Sequence, residues 1–157
     1  MSHIDEKIYM ATTEDKTCFI DTNIIVFASD SRSPWHQSSK EAINKLLNEK
    51  FRLFISPQIL REYLSVASRS TEAEKSAPWD KIMKNYENFQ KDFILIGEGQ
   101  NTVDELGKLL LKIPSSGKQV HDANIVATML AHGISNLLTH NTIDFSRYSQ
   151  LIHIISL

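Results

Sequence analysis

The stretch Thr17–Ala28, TCFIDTNIIVFA, decides how the rest of the chain is interpreted. Its apolar run Cys18–Ile20 ends at Asp21, and the apolar pattern resumes after Thr22 and Asn23. This pattern predicts a buried strand, a polar turn, and then a short helix or a second apolar run. Ligands of open α/β sheets bind beyond the carboxyl ends of the strands, so Asp21 is well placed to face a ligand. Asp21 is equally suited to cap the following helix, and this stretch alone leaves both roles open.

The composition is that of one domain with its own hydrophobic core. The 157 residues suffice for such a core without disulfides or a structural metal. Residues 1–16 are polar and show no periodicity, which predicts an N-terminal extension before a domain at residues 17–157. The net charge of -2 argues against a broadly basic nucleic-acid coat. It does not exclude a nuclease, because metal-binding carboxylates lower the net charge.

Cysteine content and hydropathy predict a cytoplasmic protein. The single cysteine, Cys18, lies in an apolar run and is interpreted as a small core residue. No apolar stretch approaches the roughly 20 residues of a membrane span, and the polar start of the chain does not resemble a signal peptide. We therefore expect no membrane association.

Apolar runs and amphipathic segments alternate along the whole chain. Besides the first strand, strands are predicted at Arg52–Ile55, Phe93–Ile96, Ile134–Thr139 and Leu151–Ile155. Helices are predicted to begin at Pro34, at Pro57 after a Ser56 N-cap, and at Thr102 through a capping box. A further, buried helix is predicted from about Val120 to His132, with Gly133 after it. Residues 70–78 are predicted to form a polar loop. The alternation predicts a three-layer α/β/α sandwich with a mainly parallel sheet of about five strands.

Three further acidic residues occupy positions from which they could reach Asp21. Glu62 lies in the apolar stretch of the helix after Pro57, where the i+4 position offers no basic partner. Asp122 opens the buried helix, although a first-turn aspartate can also serve the helix dipole alone. Asp144 lies in the polar turn after the fourth strand. All four carboxylates can converge at one end of a parallel sheet.

Clustered carboxylates suggest a divalent cation. They repel one another and raise one another's pKa values, so such a set is tolerated chiefly when a metal ion compensates it. Oxygen ligands select Mg²⁺ or Mn²⁺, whereas zinc would need thiolate or histidine sets that are not evident here. A Mg²⁺ ion open to solvent suits phosphodiester hydrolysis. Four basic side chains are candidates to face RNA phosphates or are simply solvated helix faces: Arg61, Arg69, Lys81 and Lys84.

Four motifs in this order resemble the PIN-domain nucleases. They are FIDTN, Glu62 within SPQILREYLSVASR, His121-Asp122-Ala123, and LLTHNTIDF. The likeness is greatest to the toxin ribonucleases of bacterial VapBC toxin–antitoxin pairs. It implies a Rossmann-like sandwich, Mg²⁺- or Mn²⁺-dependent endonucleolytic cleavage of RNA, a homodimer, and inhibition by a small antitoxin protein that wraps the active site.

The resemblance also implies roles for individual residues. Asp21, Glu62 and Asp122 match the three core acidic positions, as metal ligands and catalytic residues. Asn23 matches the DTN asparagine, which would orient Asp21 or contact the phosphate. Many relatives have Asp where Asn141 stands, so the fourth position is ambiguous. We assign Asp144 as the fourth acidic residue, with Asn141 as an accessory and Thr139 as a support.

Three other functions are compatible with parts of this pattern. A PIN-like module that binds RNA or protein without cleaving it would share the fold, and a chromosomal RNA-processing nuclease would share the site. A phosphatase using Asp21 as a nucleophile would need a second aspartate where Asn23 stands. Intact acidic residues favour the nuclease, and a neighbouring antitoxin gene would favour the toxin.

Overall fold

Residues 16–74 and 79–157 are described by the computed structural model. The strands are β1 Thr17–Ile20, β2 Arg52–Ile55, β3 Ile94–Leu95, β4 Asn136–Thr139 and β5 His153–Ser156. The helices are α1 Thr22–Ser29, α2 His36–Asn48, α3 Pro57–Glu74, α4 Trp79–Asp92, α5 Gln100–Lys112, α6 Gln119–Ala131 and α7 Thr142–Phe145, and a 3₁₀ turn follows at Ser146–Tyr148.

The five strands form one parallel sheet in the order β3-β2-β1-β4-β5. From β1 the chain proceeds through β2 to β3, and it then returns to the other side of β1 to form β4. Right-handed crossovers in these two directions place helices on opposite faces of the sheet. α1 packs against α2 and α3, and α5 packs against α6. The predicted three-layer sandwich is confirmed, and its crevice falls where the strand order reverses, between β1 and β4.

The central strands are buried on both faces. Phe19 in β1, Phe54 in β2 and Leu137 in β4 are 0% exposed, which explains why these strands read as continuous apolar runs. Cys18 is also fully buried, and this burial raises the pKa of its thiol to about 12. It is a core residue, as predicted. The two residues of β3 are exposed, as expected of an edge strand.

Helix α6 fills the core, as its apolar sequence predicts. Ala123, Val126 and Met129 are all buried. The helix ends at Ala131 with His132 as its C-cap, and Gly133 follows with a φ of 68°, the left-handed conformation expected of a C′ glycine. The Gly133 N–H donates to the carbonyl of Leu130, which satisfies one of the last helical acceptors.

Two predicted helix starts are wrong. α2 begins at His36 with Trp35 at its N-cap, two residues beyond Pro34. α5 begins at Gln100 with Gly99 as its N-cap, so Thr102 lies inside the first turn and is buried. The Thr102 hydroxyl has no hydrogen-bond partner among the described residues. The sequence at Thr102 therefore matches a capping box, but Thr102 does not cap the helix.

The predicted loop at residues 70–78 is wrong over its first part, because α3 continues to Glu74. Residues 70–74 are polar but contain no glycine or proline, and polarity alone does not end a helix. Residues 75–78 lie outside the described ranges, as do residues 1–15 of the predicted N-terminal extension. Lys16 is described, and its carbonyl accepts a hydrogen bond from the Arg52 N–H at 2.8 Å. No described helix is long and apolar enough to cross a membrane.

Candidate active site

Asp21 lies at the switch point of the sheet. Its N–H donates to the Leu138 carbonyl at 3.0 Å, which extends the β1–β4 ladder by one residue. Its side chain is only 5% exposed, and Oδ1 accepts a hydrogen bond from the Thr22 N–H at 2.8 Å. Asp21 thus caps α1 and also projects at the crevice, so the two roles left open by the sequence are compatible.

Two accessory residues hold the other carboxylate oxygen of Asp21. Thr139 Oγ1 donates to Oδ2 at 2.7 Å, and Asn23 Nδ2 donates to it at 3.1 Å. Asn23 Oδ1 in turn accepts from the His140 N–H at 3.1 Å. The Asn141 N–H donates to Thr139 Oγ1 at 3.0 Å. The turn after β4 is therefore tied directly to Asp21.

Glu62 is held by two neutral side chains. Thr22 Oγ1 donates to its Oε2 at 2.6 Å, and Gln58 Nε2 donates to its Oε1 at 2.8 Å. Glu62 is only partly buried, on the α3 turn that faces the start of α1. Because both donors are uncharged, they orient the carboxylate without neutralising it.

Asp122 and Asp144 complete the acidic cluster. Asp122 lies half-buried in the first turn of α6, and Asp144 is exposed in the first turn of α7. Burial raises the pKa of Asp122 to about 6, and the charges of Asp21, Asp144 and Glu62 add to this effect, while His121 opposes it. The structure therefore brings all four predicted carboxylates into one electrostatic neighbourhood.

Burial dominates the electrostatics of Asp21 as well. It raises the pKa of this carboxyl group to about 6. The hydrogen bonds from Thr139, Thr22 and Asn23 oppose the shift, whereas the charge of Glu62 adds to it. An ionised Asp21 is therefore costly in the protein by itself, and a nearby cation would relieve that cost.

The donor atoms fit a hard divalent cation in chemistry and charge. They are carboxylate oxygens with amide and hydroxyl groups around them, the set that Mg²⁺ and Mn²⁺ prefer. Within residues 16–74 and 79–157, however, no three histidine, cysteine or acidic side chains stand close enough to form a finished ligand set. Assignment of Asp21, Glu62, Asp122 and Asp144 as ligands thus remains a proposal.

The sequence analysis missed a polar network behind Glu62. Gln58 is 3% exposed, and its Nε2 also donates to the His121 carbonyl at 2.9 Å. Its Oε1 accepts from Asn124 Nδ2 at 2.7 Å, and that amide also reaches Glu98 Oε2 at 3.3 Å. The network links α3, α6 and the turn after β3. The sequence does indicate one contact of this network, because the i,i+4 spacing of Gln58 and Glu62 places their side chains on one helix face.

Glu98 also replaces the predicted cap of α3. Its Oε1 accepts from the Gln58 N–H at 3.1 Å. Ser56 stands at the N-cap position, but its buried hydroxyl has no hydrogen-bond partner in the described part of the chain. Glu98 lies three residues beyond the end of β3, whereas Asp21 directly follows β1, so its proximity to a strand end was a weaker signal.

The four candidate RNA-binding residues are exposed on α3 and α4. Arg69 Nε donates to the Ser65 carbonyl of its own helix at 3.2 Å. Lys81 lines a groove with Asp30 and Arg32. The hydrogen bond from Arg32, and to a smaller extent the charge of Lys81, lowers the pKa of Asp30. A role of Arg61, Arg69, Lys81 and Lys84 in RNA binding stays a prediction.

Stability without metal should depend on pH through Asp21. Its pKa in the folded protein is about 6, above the ordinary value of 3.8, so between these values the folded state binds more protons than the unfolded state. The free energy of unfolding should therefore fall as pH rises from about 4 to about 6, by up to about 3 kcal/mol for this group, and then level off.

The measurement is urea unfolding of the wild-type protein and the Asp21→Asn variant in EDTA from pH 4 to 8. Groups that do not interact with Asp21 titrate alike in both proteins, so the difference in unfolding free energy reports Asp21 together with its coupling to Asp122 and Glu62. The unfolding free energy of Asp21→Asn, relative to that of the wild type, should increase as pH rises. A difference that is constant with pH would contradict the raised pKa.

The fold and the site together define a class of protein: a parallel α/β sandwich with acidic side chains gathered at the switch point of its sheet. The chain belongs to the PIN-domain family, because the family model for the PIN domain matches residues 18–151. The resemblance inferred from the four motifs is confirmed.

Individual relatives are distant. Ribonuclease VapC48 of Mycobacterium tuberculosis is 23% identical over 130 residues, which cover 82% of this chain and 89% of that protein. The structure of VapBC2 from Rickettsia felis, bound to a DNA fragment from their promoter, matches 90% of this chain and 98% of its own with 21% identity and a TM-score of 0.67. M. tuberculosis VapC20, described as a sarcin-ricin loop cleaving toxin, matches 82% of this chain and 93% of its own with 14% identity and a TM-score of 0.62. At these identities the structural matches show a shared fold.

Proposed function

We propose that this chain is a Mg²⁺- or Mn²⁺-dependent endoribonuclease that acts as the toxin of a type II toxin–antitoxin pair. The observation that carries the proposal is the acidic crevice, in which burial raises the pKa values of Asp21 and Asp122 to about 6. Neutral hydrogen bonds hold Asp21 and Glu62 in place but do not compensate their charge. Membership of the PIN-domain family and the distant relation to VapC48 support the same activity.

The site residues divide into ligands and supports. Asp21, Glu62, Asp122 and Asp144 would hold the metal. A divalent ion at such a site lowers the pKa of a water molecule and neutralises charge on phosphate oxygens. The supporting residues fix the ligands beforehand: Asn23 and Thr139 hold Asp21, and Thr22 and Gln58 hold Glu62.

The test is cleavage of a mixed tRNA and rRNA preparation by the purified protein. We expect fragments with Mg²⁺ or Mn²⁺ and none with EDTA, and the fragments would identify the RNA that is cut. Intact RNA in the presence of a folded protein, free of any copurifying inhibitor, would reject the nuclease. A binding module that does not cleave would then be the better description.

Replacing Gln58 by Leu should weaken both the fold and the site. The variant leaves a carboxylate oxygen of Glu62 and the His121 carbonyl without their donor, so the free energy of unfolding should fall by about 1–3 kcal/mol. Loss of a residue that orients a metal ligand typically costs 10- to 100-fold, so RNA cleavage should fall by about that factor. The measurements are urea unfolding and initial cleavage rates.

Gln37 provides a matched control for Gln58. Its Nε2 donates to Glu41 at 2.9 Å with the same i,i+4 spacing, but this pair is exposed. Gln37→Leu should change the unfolding free energy by no more than about 0.5 kcal/mol and leave cleavage unchanged. Equal effects of the two substitutions would show that Gln58 does not position Glu62.

The ambiguous fourth position can be settled by comparing Asp144 with Asn141. The charge of Asp144 acts on Asp122, whereas Asn141 meets the site through its backbone N–H on Thr139. We expect Asp144→Asn to lower the cleavage rate roughly tenfold, as loss of one charge at an exposed site would, and Asn141→Ala to lower it less. If Asp144→Asn leaves the cleavage rate unchanged and Asn141→Asp raises it, the fourth acidic position belongs to Asn141.

The proposal includes partners. Besides RNA, we propose a small antitoxin protein and a second copy of this chain, in the cytoplasm. Support comes from the structural matches, several of which are described as VapBC structures.

Expression of the chain should arrest growth, and coexpression with a small protein encoded next to it should restore growth and give a stable complex. Light scattering would measure the dimer. Growth arrest that no neighbouring gene relieves would favour an RNA-processing nuclease.

A further inference from the structure

Three aromatic rings lie beside the acidic crevice, in a cluster formed by Phe27, Trp35 and His140. The Trp35 and His140 rings lie 4.4 Å apart, centroid to centroid, with 45° between their planes. The Phe27 ring meets His140 edge-on at 5.4 Å and 80°. The cluster therefore joins the end of α1, the start of α2 and the turn after β4.

The cluster is attached directly to the site residues. His140 follows Thr139, the donor to Asp21, and its own N–H donates to Asn23 at 3.1 Å. A base that stacks on Trp35 would thus be separated by one side chain, that of His140, from Thr139 and Asn23, which hold Asp21. The cluster is therefore connected to Asp21 through the turn after β4, next to the crevice in which the proposed function puts the cleaved phosphate.

The backbone of Trp35 is fixed at the start of α2, whereas its side chain is not covered. Its N–H donates to Ser33 Oγ at 3.1 Å, and its carbonyl accepts from the Ser39 N–H at 3.0 Å. Its side chain nevertheless remains 42% exposed. The indole therefore offers aromatic surface to solvent next to the residues that hold Asp21, and a flat base is a ligand that such a ring can stack on.

We propose that Trp35, backed by His140, stacks on an unpaired base of single-stranded RNA and thereby positions the strand at the acidic crevice. This inference rests on the proposed function, because it names how the same site receives its substrate. Stacking is tolerant of base identity but requires a base, so the platform selects unpaired nucleotides over paired ones.

The test measures binding of fluorescein-labelled pentaribonucleotides by fluorescence anisotropy, in EDTA so that binding is separated from cleavage. One oligonucleotide is A5, and the other is abasic at every position, because a single abasic residue would leave the remaining adenines free to stack. Since one stacked base contributes roughly tenfold in affinity, Trp35→Leu should weaken binding of A5 by about that factor. The abasic oligonucleotide should bind the wild type and this variant alike.

Two controls separate stacking from a structural role. Trp35→Phe keeps an aromatic face and should retain most of the affinity for A5. Trp79→Leu removes the other tryptophan, which is 55% exposed at the start of α4, and should have no effect. Equal losses with Leu and Phe at position 35, or a wild type that does not distinguish A5 from the abasic oligonucleotide, would overturn the proposal.

The outcome is distinguishable from failure of the nuclease. Base-dependent binding through Trp35 without any cleavage would reject the nuclease and retain the stacking platform. Metal-dependent cleavage with unchanged A5 binding by Trp35→Leu would reject only the platform.

Discussion

Asp21→Asn is expected to lower the rate of RNA cleavage by on the order of a thousandfold. Asp21 is the carboxylate on which the site converges, with Thr139, Asn23 and the Thr22 N–H all donating to it. A metal ion contributes several kcal/mol of charge stabilisation to the transition state, and each 1.36 kcal/mol corresponds to a factor of ten. The measurement is the initial rate of cleavage with Mg²⁺ or Mn²⁺ at pH 8.

The same variant should be more stable than the wild type in the absence of metal. The buried carboxylate of Asp21 is ionised at pH 8, well above its pKa of about 6, and the amide removes this charge and its repulsion with Glu62. The amide gives up one of the acceptor interactions, so we expect a net gain of about 1–2 kcal/mol in unfolding free energy.

Loss of activity together with a gain of stability distinguishes a functional carboxylate from a structural one. Asp104→Asn provides the control, because Asp104 is exposed on α5 and accepts a hydrogen bond from Gln100 at 2.9 Å, on the same helix. It should change neither quantity measurably. If Asp21→Asn destabilises the protein at pH 8 and the loss of activity follows from unfolding, Asp21 is mainly a helix cap.

Asp122→Asn should also abolish most of the cleavage, by roughly a hundredfold to a thousandfold. Asp122 shares the crevice with Asp21, Asp144 and Glu62, as the causes of its raised pKa show. Replacing it removes a proposed ligand without removing side-chain volume. The gain in stability should be smaller than for Asp21→Asn, because solvent reaches this half-buried group and screens its charge.

The Asp122 experiment compares cleavage over a range of Mn²⁺ concentrations. Reduced metal affinity should appear as a higher Mn²⁺ concentration for half-maximal cleavage. An Asp122→Asn enzyme that cleaves at the full rate would overturn the assignment of the acidic cluster as a metal site.

The architecture was predictable because its signals are local. Apolar runs such as Cys18–Ile20 mark strands covered on both faces, and their alternation with helical patterns implies a parallel sheet. Asp21 was singled out by its position at a strand end, Asp122 by its position at the start of a buried helix, and Glu62 by its place in an apolar helical stretch without a basic partner. Gly133 also behaves as its sequence position predicts.

The details that escaped prediction depend on contacts between distant segments. Glu98 caps α3 in place of Ser56, and Gln58 joins Glu62 to α6; together these contacts require α3, α6 and the turn after β3 to meet. Trp35 stands at the N-cap of α2 and packs on His140, a contact that the local sequence does not indicate. Local pattern cannot report partners more than 40 positions away. The predicted end of α3 was wrong because polar residues can continue a helix.

The most direct test of the acidic cluster is calorimetric titration of the purified protein with Mn²⁺ in two buffers of different ionisation enthalpy. With the pKa values of Asp21 and Asp122 both near 6, Mn²⁺ binding at pH 6 should release about one proton per ion, and at pH 8 close to none. Asp21→Asn should bind the ion far more weakly and release fewer protons. Equal affinity and equal proton release in the wild type and in Asp21→Asn would contradict a metal site built on Asp21.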